Sequence, residues 1–405
     1  MKNAIKIVFI GSLLISFFSC ASSEPEEEEI VESLILSSLS EFSKSEETQA
    51  IAITSNLAWN ATDNTNWITI TPSDGSNNGT INVSVEENLA LTKRTGILTI
   101  SGGSISKTLT ITQAAAEDNS NTSGTLDPNK APSENFDLST WNLSIPEDKG
   151  NGTATTITVS QINNKYKNSK YFYTAADGGM VFKCPVDGFK TSNNTSYTRV
   201  ELREMLRGTN TGISTQGVNK NNWVFGTAPS TDKEAAAGYD GEMYATLAIN
   251  HVTTTGNNSH IGRIIIGQIH ANNDEPIRIY YRKLKDNTLG SIYFAHEPTD
   301  GNGNEQWYEL IGSKSNDISN PSDGIALNEK FSYSIKVVGD SLTLTILREG
   351  KSDVVKTIDM INSGFNVGGQ YMYFKAGVYQ ANNSGDNNDF AQVTFYALEK
   401  SHSTN

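Results

Sequence analysis

Three short stretches carry side chains that could do chemistry together. In "YTRVELREML", Arg199, Glu201 and Arg203 alternate with Val200 and Leu202. In "GRIIIGQIHANN", Gln268 and His270 stand two residues apart at the end of an isoleucine run. In "YMYFKAGVYQ", Tyr371, Tyr373, Lys375, Gly377 and Tyr379 alternate with Met372, Phe374, Ala376 and Val378. A period of two is the signature of a strand, whose successive side chains point to opposite faces. On that period Ile264, Ile266, Gln268 and His270 share one face, and Ile265, Gly267 and Ile269 the other. If the three strands lie side by side, their polar faces merge into a groove. It would hold two arginines, a lysine, an amide, an imidazole and tyrosines, with Glu201 able to orient an arginine.

Arginine and lysine recognise carboxylates, arginine in bidentate fashion. A neutral imidazole and a phenol can exchange protons with carbon and oxygen. The paired carboxylates that glycoside hydrolysis requires are missing from the polar faces. His251, His260, His270, His296 and His402 show no metal-ligand spacing, and no nucleophile elbow appears. The set suits β-elimination on a uronic acid: neutralise the carboxylate on C5, remove the C5 proton, protonate the oxygen leaving C4. Two other readings compete. A non-catalytic surface protein could bind an acidic polysaccharide through the same cations, or the lyase could act on another polyuronate.

The rest of the chain must position these strands. Its 405 residues allow two or three domains. Runs such as "GMVFKCPVDG", "EMYATLAINHV", "PIRIYYRKL" and "AQVTFYALE" are short, β-branched or aromatic, and bounded by turn residues. "VVGDSL" marks a hairpin at Gly339–Asp340, and only "STDKEAAAGYDGE" suggests a helix. This is an all-β protein of sandwich or jelly-roll type. The net charge of −14 argues against nucleic acid as a partner class. Five of the acidic residues, Glu24 and Glu26 to Glu29, fall in one short run, whereas Arg263, Arg278, Arg282, Lys283 and Lys285 flank the histidine strand. Local potential, not net charge, governs capture of a polyanion.

The expected organisation has five parts. Residues 1–20 pair Lys2 and Lys6 with an apolar run ending at Cys20, which resembles the signal of bacterial lipoproteins with Cys20 as the lipidated residue. Residues 21–29 form an acidic tether, similar to the export signal of outer-membrane, surface-exposed lipoproteins. Residues 30–115 read as a small β-sandwich with Trp59 and Trp67 as core anchors, and resemble the BACON domain of carbohydrate enzymes. Residues 116–131 are a polar linker. Residues 132–400 form the large β-domain.

Within that last part "RVELRE", "QIH" and "YFKAGVYQ", in this order, resemble the signature blocks of polysaccharide lyase family seven, the alginate lyases. Val200 departs from the small polar residue usual there, on the face away from the groove; Gln380 follows Tyr379 directly where the family often has a residue between. The resemblance implies a β-jelly roll with a concave groove, no metal or organic cofactor, and alginate as the partner of a monomeric enzyme. It implies that Arg199 and Gln268 neutralise the uronate carboxylate, that His270 is the base and Tyr379 the acid. Arg203, Lys375 and Tyr373 would hold neighbouring sugars, and Glu201 would fix the arginines or touch substrate. Ile269, central in "QIH", goes with a preference for guluronate or mixed blocks.

Overall fold

The computed structural model describes residues 31–88, 93–115 and 126–404. Cys20, the acidic tether and most of the expected linker lie outside them.

The first eight strands, from Leu34–Leu36 to Ile105–Gln113, form two four-stranded sheets. Their inward residues alternate with exposed ones along Glu47–Ser55, where Ile51 and Ile53 are buried. Trp59 and Trp67 are buried as expected from their strand positions. The Trp59 indole donates to the Asn77 carbonyl at 3.0 Å, so its polar edge is satisfied where its ring is desolvated.

Residues from Trp141 to Ser403 build a larger sandwich of two mostly antiparallel sheets. One sheet runs in the order Ala154–Ile157, Trp141–Asp148, Arg199–Glu204, Tyr373–Gln380, Arg263–His270, Ile277–Arg282, Leu289–His296, Gln306–Ile311. The other runs Phe172–Thr174, Met180–Pro185, Phe390–Ser403, Gly238–His251, Lys330–Val338, Ser341–Leu347, Val354–Asp359. Val338 pairs with Ser341 across Gly339 and Asp340, the expected hairpin. Between the sheets lies one apolar core, with Val200, Leu202, Ile269 and Phe374 from the first and Phe182, Leu247, Tyr333 and Phe395 from the second. Its helices are short: Pro132–Asn135, Val159–Asn163 and Ser230–Ala235. Only the last was legible in the sequence.

The jelly-roll order brings the arginine, tyrosine and histidine strands together as consecutive neighbours, although long stretches of chain separate them. Their core-facing residues also anchor them. Glu204, at the end of the arginine strand, accepts from the Phe374 amide at 3.0 Å and meets Lys400 and His402 of the opposite sheet at 3.0 and 2.8 Å. Burial pushes its pKa up, but His402 and Lys400 outweigh that and hold it at about 2.

The histidine strand departs from strict alternation. Ile265 pairs with Tyr280 and Gly267 with Ile279, so Ile266 has no opposite residue. That is a β-bulge, which shifts the phase of the strand. Ile264 and Ile266 pack in the core, as does Ile269 beyond the bulge. Ile265 lies on the other face beside Tyr280 and Tyr379. The expectation that Ile264 and Ile266 share a face with Gln268 and His270 is therefore corrected. The strand does not change from apolar to polar along one face; the bulge moves the polar residues onto the groove face. Gly267 makes the bulge possible. A Cβ there would sit 2.6 Å from the Tyr333 hydroxyl, which donates to the Ile266 carbonyl at 3.0 Å.

Gly267→Ala should therefore lower stability by about 1–3 kcal/mol, the usual penalty of overpacking a closed core. A urea midpoint unchanged from the parent protein would show that Tyr333 yields freely and that the bulge does not depend on this contact.

Candidate active site

Register sets the site. Arg199 stands opposite Tyr379, and Arg203 opposite Lys375. On its other side the tyrosine strand places Lys375 opposite Gln268 and Tyr373 opposite His270. Directly opposed residues of an antiparallel pair share a face and touch, so all eight candidate groove residues of the sequence reading meet in one patch.

Glu201 lies at its centre. Its carboxylate accepts from Arg199 Nη1 at 3.2 Å, from Gln268 Nε2 and from Lys375 Nζ, joining all three strands. Its side chain is 1% exposed. It is thus an anchor beneath the groove surface, where the sequence reading had also allowed a substrate contact. Gln268 and Lys375 are likewise buried rather than on an open, solvated face. Above this layer the Arg199 guanidinium lies 3.9 Å over the Tyr379 ring, and Arg203 lies 3.9 Å over Tyr373. His270 stacks on Tyr373, with ring centroids 5.0 Å apart and planes within 10°.

The His270 tautomer follows from its partners. Nδ1 is 2.6 Å from the Ala271 carbonyl, which can only accept, so Nδ1 carries the proton and Nε2 the lone pair. Burial, and then the charge of Lys375, holds the imidazolium pKa down at about 3, with the Ala271 bond opposing. The ring is neutral at any ordinary pH. Lys375 is itself pushed down to about 8 by burial and by Arg199, against Glu201. Burial raises the Tyr379 phenol, with Arg199 opposing, so it keeps its proton. The site therefore offers a protonated phenol and an unprotonated imidazole in one arginine-lined patch.

One site residue escaped the sequence reading. Glu275 Oε1 is 3.2 Å from His270 Nε2. Burial lifts this carboxyl to about 7; Arg278 opposes and Glu297 adds to the rise. Below that pH it is an acid that can donate to Nε2. The available signal was the turn "ANNDEP", which returns the chain beside His270: the Ala271 amide donates to the Asp274 carbonyl at 2.8 Å. A second correction concerns the flanking cations. Arg278 is held by Glu275 at 3.2 Å, by Glu297 at 3.0 Å and by Glu305. Arg282 is 3% exposed and donates to the Asn258 and Lys314 carbonyls and to Asn316. Arg278 is ion-paired and Arg282 buried, so neither presents a free guanidinium to the groove. Gln380 is buried, donating to the Cys184 carbonyl at 3.0 Å, and so has a structural place. Among the described residues no group of three or more His, Cys, Asp or Glu side chains gathers to hold a metal.

Comparison with known proteins adds independent findings. A family model described as alginate lyase matches residues 136–402, and the BACON model ("Putative binding domain, N-terminal") matches residues 57–114. An alginate lyase from Klebsiella pneumoniae is 54% identical over 280 residues, which are 67% of this chain and 91% of that protein. The crystal structure of the alginate lyase from Klebsiella pneumoniae matches at 53% identity with a TM-score of 0.67, over 67% of this chain and 99% of that one. An exolytic alginate lyase of polysaccharide lyase family seven from Zobellia galactanivorans shares the fold, at 22% identity and a TM-score of 0.51 over 68% of this chain and 99% of that one.

The buried carboxylate at the centre yields a direct expectation. Glu201→Gln keeps the shape but leaves Lys375 and Arg199 without their counter-charge. Removing one partner of a buried ion pair is worth roughly 3–5 kcal/mol of stability. Chemical denaturation should show a loss of that order, and a change below about 1 kcal/mol would mean that Glu201 behaves as a surface charge.

Proposed function

This chain belongs to the alginate lyase family, and from that premise we propose how its groove performs the reaction. It is a polysaccharide lyase that depolymerises alginate by β-elimination. The observation that carries the catalytic reading is the register that sets Arg199 opposite Tyr379 and His270 opposite Tyr373, with Gln268 between.

In this reading Arg199, with Gln268, takes the carboxylate on C5 and stabilises the negative charge that grows on it as the proton departs. Both are tied to Glu201, so they need no reorganisation when charge develops. The His270 Nε2 lone pair removes the C5 proton of a guluronate unit, the C4–C5 double bond forms, and the bond from C4 to the leaving oxygen breaks. Tyr379 donates its phenolic proton to that oxygen. For the C5 epimer, mannuronate, the hydrogen lies on the opposite face; there the minor phenolate form of Tyr379 takes the C5 proton and then returns it to the leaving oxygen. Arg203, Tyr373 and Lys375 hold the neighbouring units. Guluronate and mixed blocks are cut faster than mannuronate blocks; Ile269 favours this indirectly, through core packing that sets the pitch of Gln268 and His270.

The test is the ultraviolet absorbance of unsaturated uronates released from alginate and from its separate block polymers. His270→Ala and Tyr379→Phe should each lower turnover roughly 10²–10⁴-fold. The wild-type rate should rise with pH through about 7, as Glu275 ionises and stops donating to Nε2. A folded variant with near-normal activity would overturn its role, and faster cleavage of mannuronate blocks would overturn the preference alone.

We also propose that the enzyme acts at the outer cell surface, tethered through a lipid on Cys20 and the acidic run that follows it. The support is the sequence pattern: lysines, an apolar run, then Ser19 and Cys20. A single acyl chain anchors weakly, so the several chains of a bacterial lipoprotein are implied. Cys20→Ala should release the protein from the membrane fraction; wild-type protein found free of lipid in the medium would refute the tether.

A further inference from the structure

The groove face continues past the catalytic residues. At the level of Tyr379 one row of opposed residues crosses four neighbouring strands: Tyr379 faces Ile265, Ile265 faces Tyr280, and Tyr280 faces Tyr293. In the next strand Trp307 stands opposite Ala295, on the same face. These side chains form one cluster that Tyr379 joins. Tyr280 and Tyr293 stack with centroids 5.3 Å apart, and the Trp307 ring lies 5.2 and 5.9 Å from them. Both tyrosines are buried, whereas Trp307 is half-exposed above them.

One cation borders this indole, and a second stands nearer the Tyr379 strand. Lys314 Nζ is 5.3 Å from its ring centre. Arg263 stands on the groove face two residues before Ile265, close enough for its charge to lower the phenol pKa values of Tyr280 and Tyr293 against burial. Among the described residues no carboxylate forms an ion pair with Arg263 or Lys314. The acidic neighbours are already engaged: Glu297 and Glu305 hold Arg278, while Glu309 accepts from Ser313 and the Lys314 amide. A supported aromatic face beside a lysine that has no carboxylate partner matches a sugar ring that carries a carboxylate.

We propose that Trp307, supported by Tyr280 and Tyr293 and bordered by Lys314, is a distal subsite for one uronate unit of the polymer. The indole takes the ring face and Lys314 takes the carboxylate. Four strand steps of about 4.8 Å separate Trp307 from the Tyr379 strand, about 19 Å along the sheet. The subsite is therefore reached only by a chain several units long, and it makes affinity depend on chain length. This rests on the reading that the same groove binds the polyuronate at Arg199.

The experiment compares alginate octasaccharide with trisaccharide by calorimetry, in full-length protein carrying Tyr379→Phe to suppress cleavage. Adding Trp307→Ala should cut the octasaccharide-to-trisaccharide affinity ratio about tenfold, the effect expected when a buried-edge tryptophan contact is truncated. Trp307→Phe should retain most of the ratio, and Lys314→Ala should lower it about threefold. Circular dichroism checks folding; if Trp307→Ala does not fold, the phenylalanine and lysine variants carry the test. An unchanged ratio in folded variants overturns the subsite. So does an equal loss for both oligomers, which would show that Trp307 only supports the strand. If wild-type protein proved unable to cleave alginate, the catalytic reading would fall, while the calorimetry would still decide the subsite.

Discussion

One buried carboxylate holds the site together. Glu201 receives an arginine from its own strand, a lysine from the next and an amide from the one beyond. A carboxylate placed beneath a sheet surface is tolerable only when its charge is matched and its oxygens accept hydrogen bonds. Here that requirement is met only if all three strands are adjacent and in register. The same bonds that satisfy Glu201 aim Arg199 and Gln268 at the groove. The positive surplus of the patch, with Arg199, Arg203 and Lys375 set against one central carboxylate, is what remains to meet a polyanionic chain.

The bulge at Ile266 is the second condition. Regular alternation would send either the isoleucines or the pair Gln268 and His270 to the wrong face. One unpaired residue lets Ile264, Ile266 and Ile269 all enter the core while Ile265, Gln268 and His270 face outward. Tyr333 reaches from the opposite sheet to the Ile266 carbonyl and secures the irregular backbone, which is where a strand loses ladder bonds. The core thus shapes the groove from behind.

Burial tunes the chemistry. A solvated imidazole would be partly protonated near neutrality, yet His270, beside Lys375 and under the arginines, is held neutral. Its Nδ1 proton is fixed on the Ala271 carbonyl, so the reactive nitrogen is specified by the backbone. The phenol of Tyr379 moves the other way and stays protonated. Two groups of different intrinsic acidity are pushed apart by one dry environment, which separates the roles of acid and base.

Much of this was legible in the chain. Alternation in "RVELRE" and "YFKAGVYQ" assigns each residue to its face correctly, because a strand's period of two is local backbone geometry. The all-β class, the hairpin at Gly339, the buried Trp59 and Trp67, and the core position of Ile269 follow from equally local patterns. The elimination chemistry was readable too, since residue types limit what can bind a carboxylate and move protons. Tertiary structure alone decided the rest. That the three strands are neighbours depends on pairing across long stretches of chain, which no local pattern encodes. The phase of the histidine strand turned on a bulge created by Gly267 and Tyr333, residues far apart in the chain. Glu275 reaches His270 through a turn, Arg278 and Arg282 are tied up by partners from distant loops, and Trp307 joins the groove face only by register. Local propensity determines which face a side chain takes; the neighbours it meets there are set by the long-range packing of the sandwich.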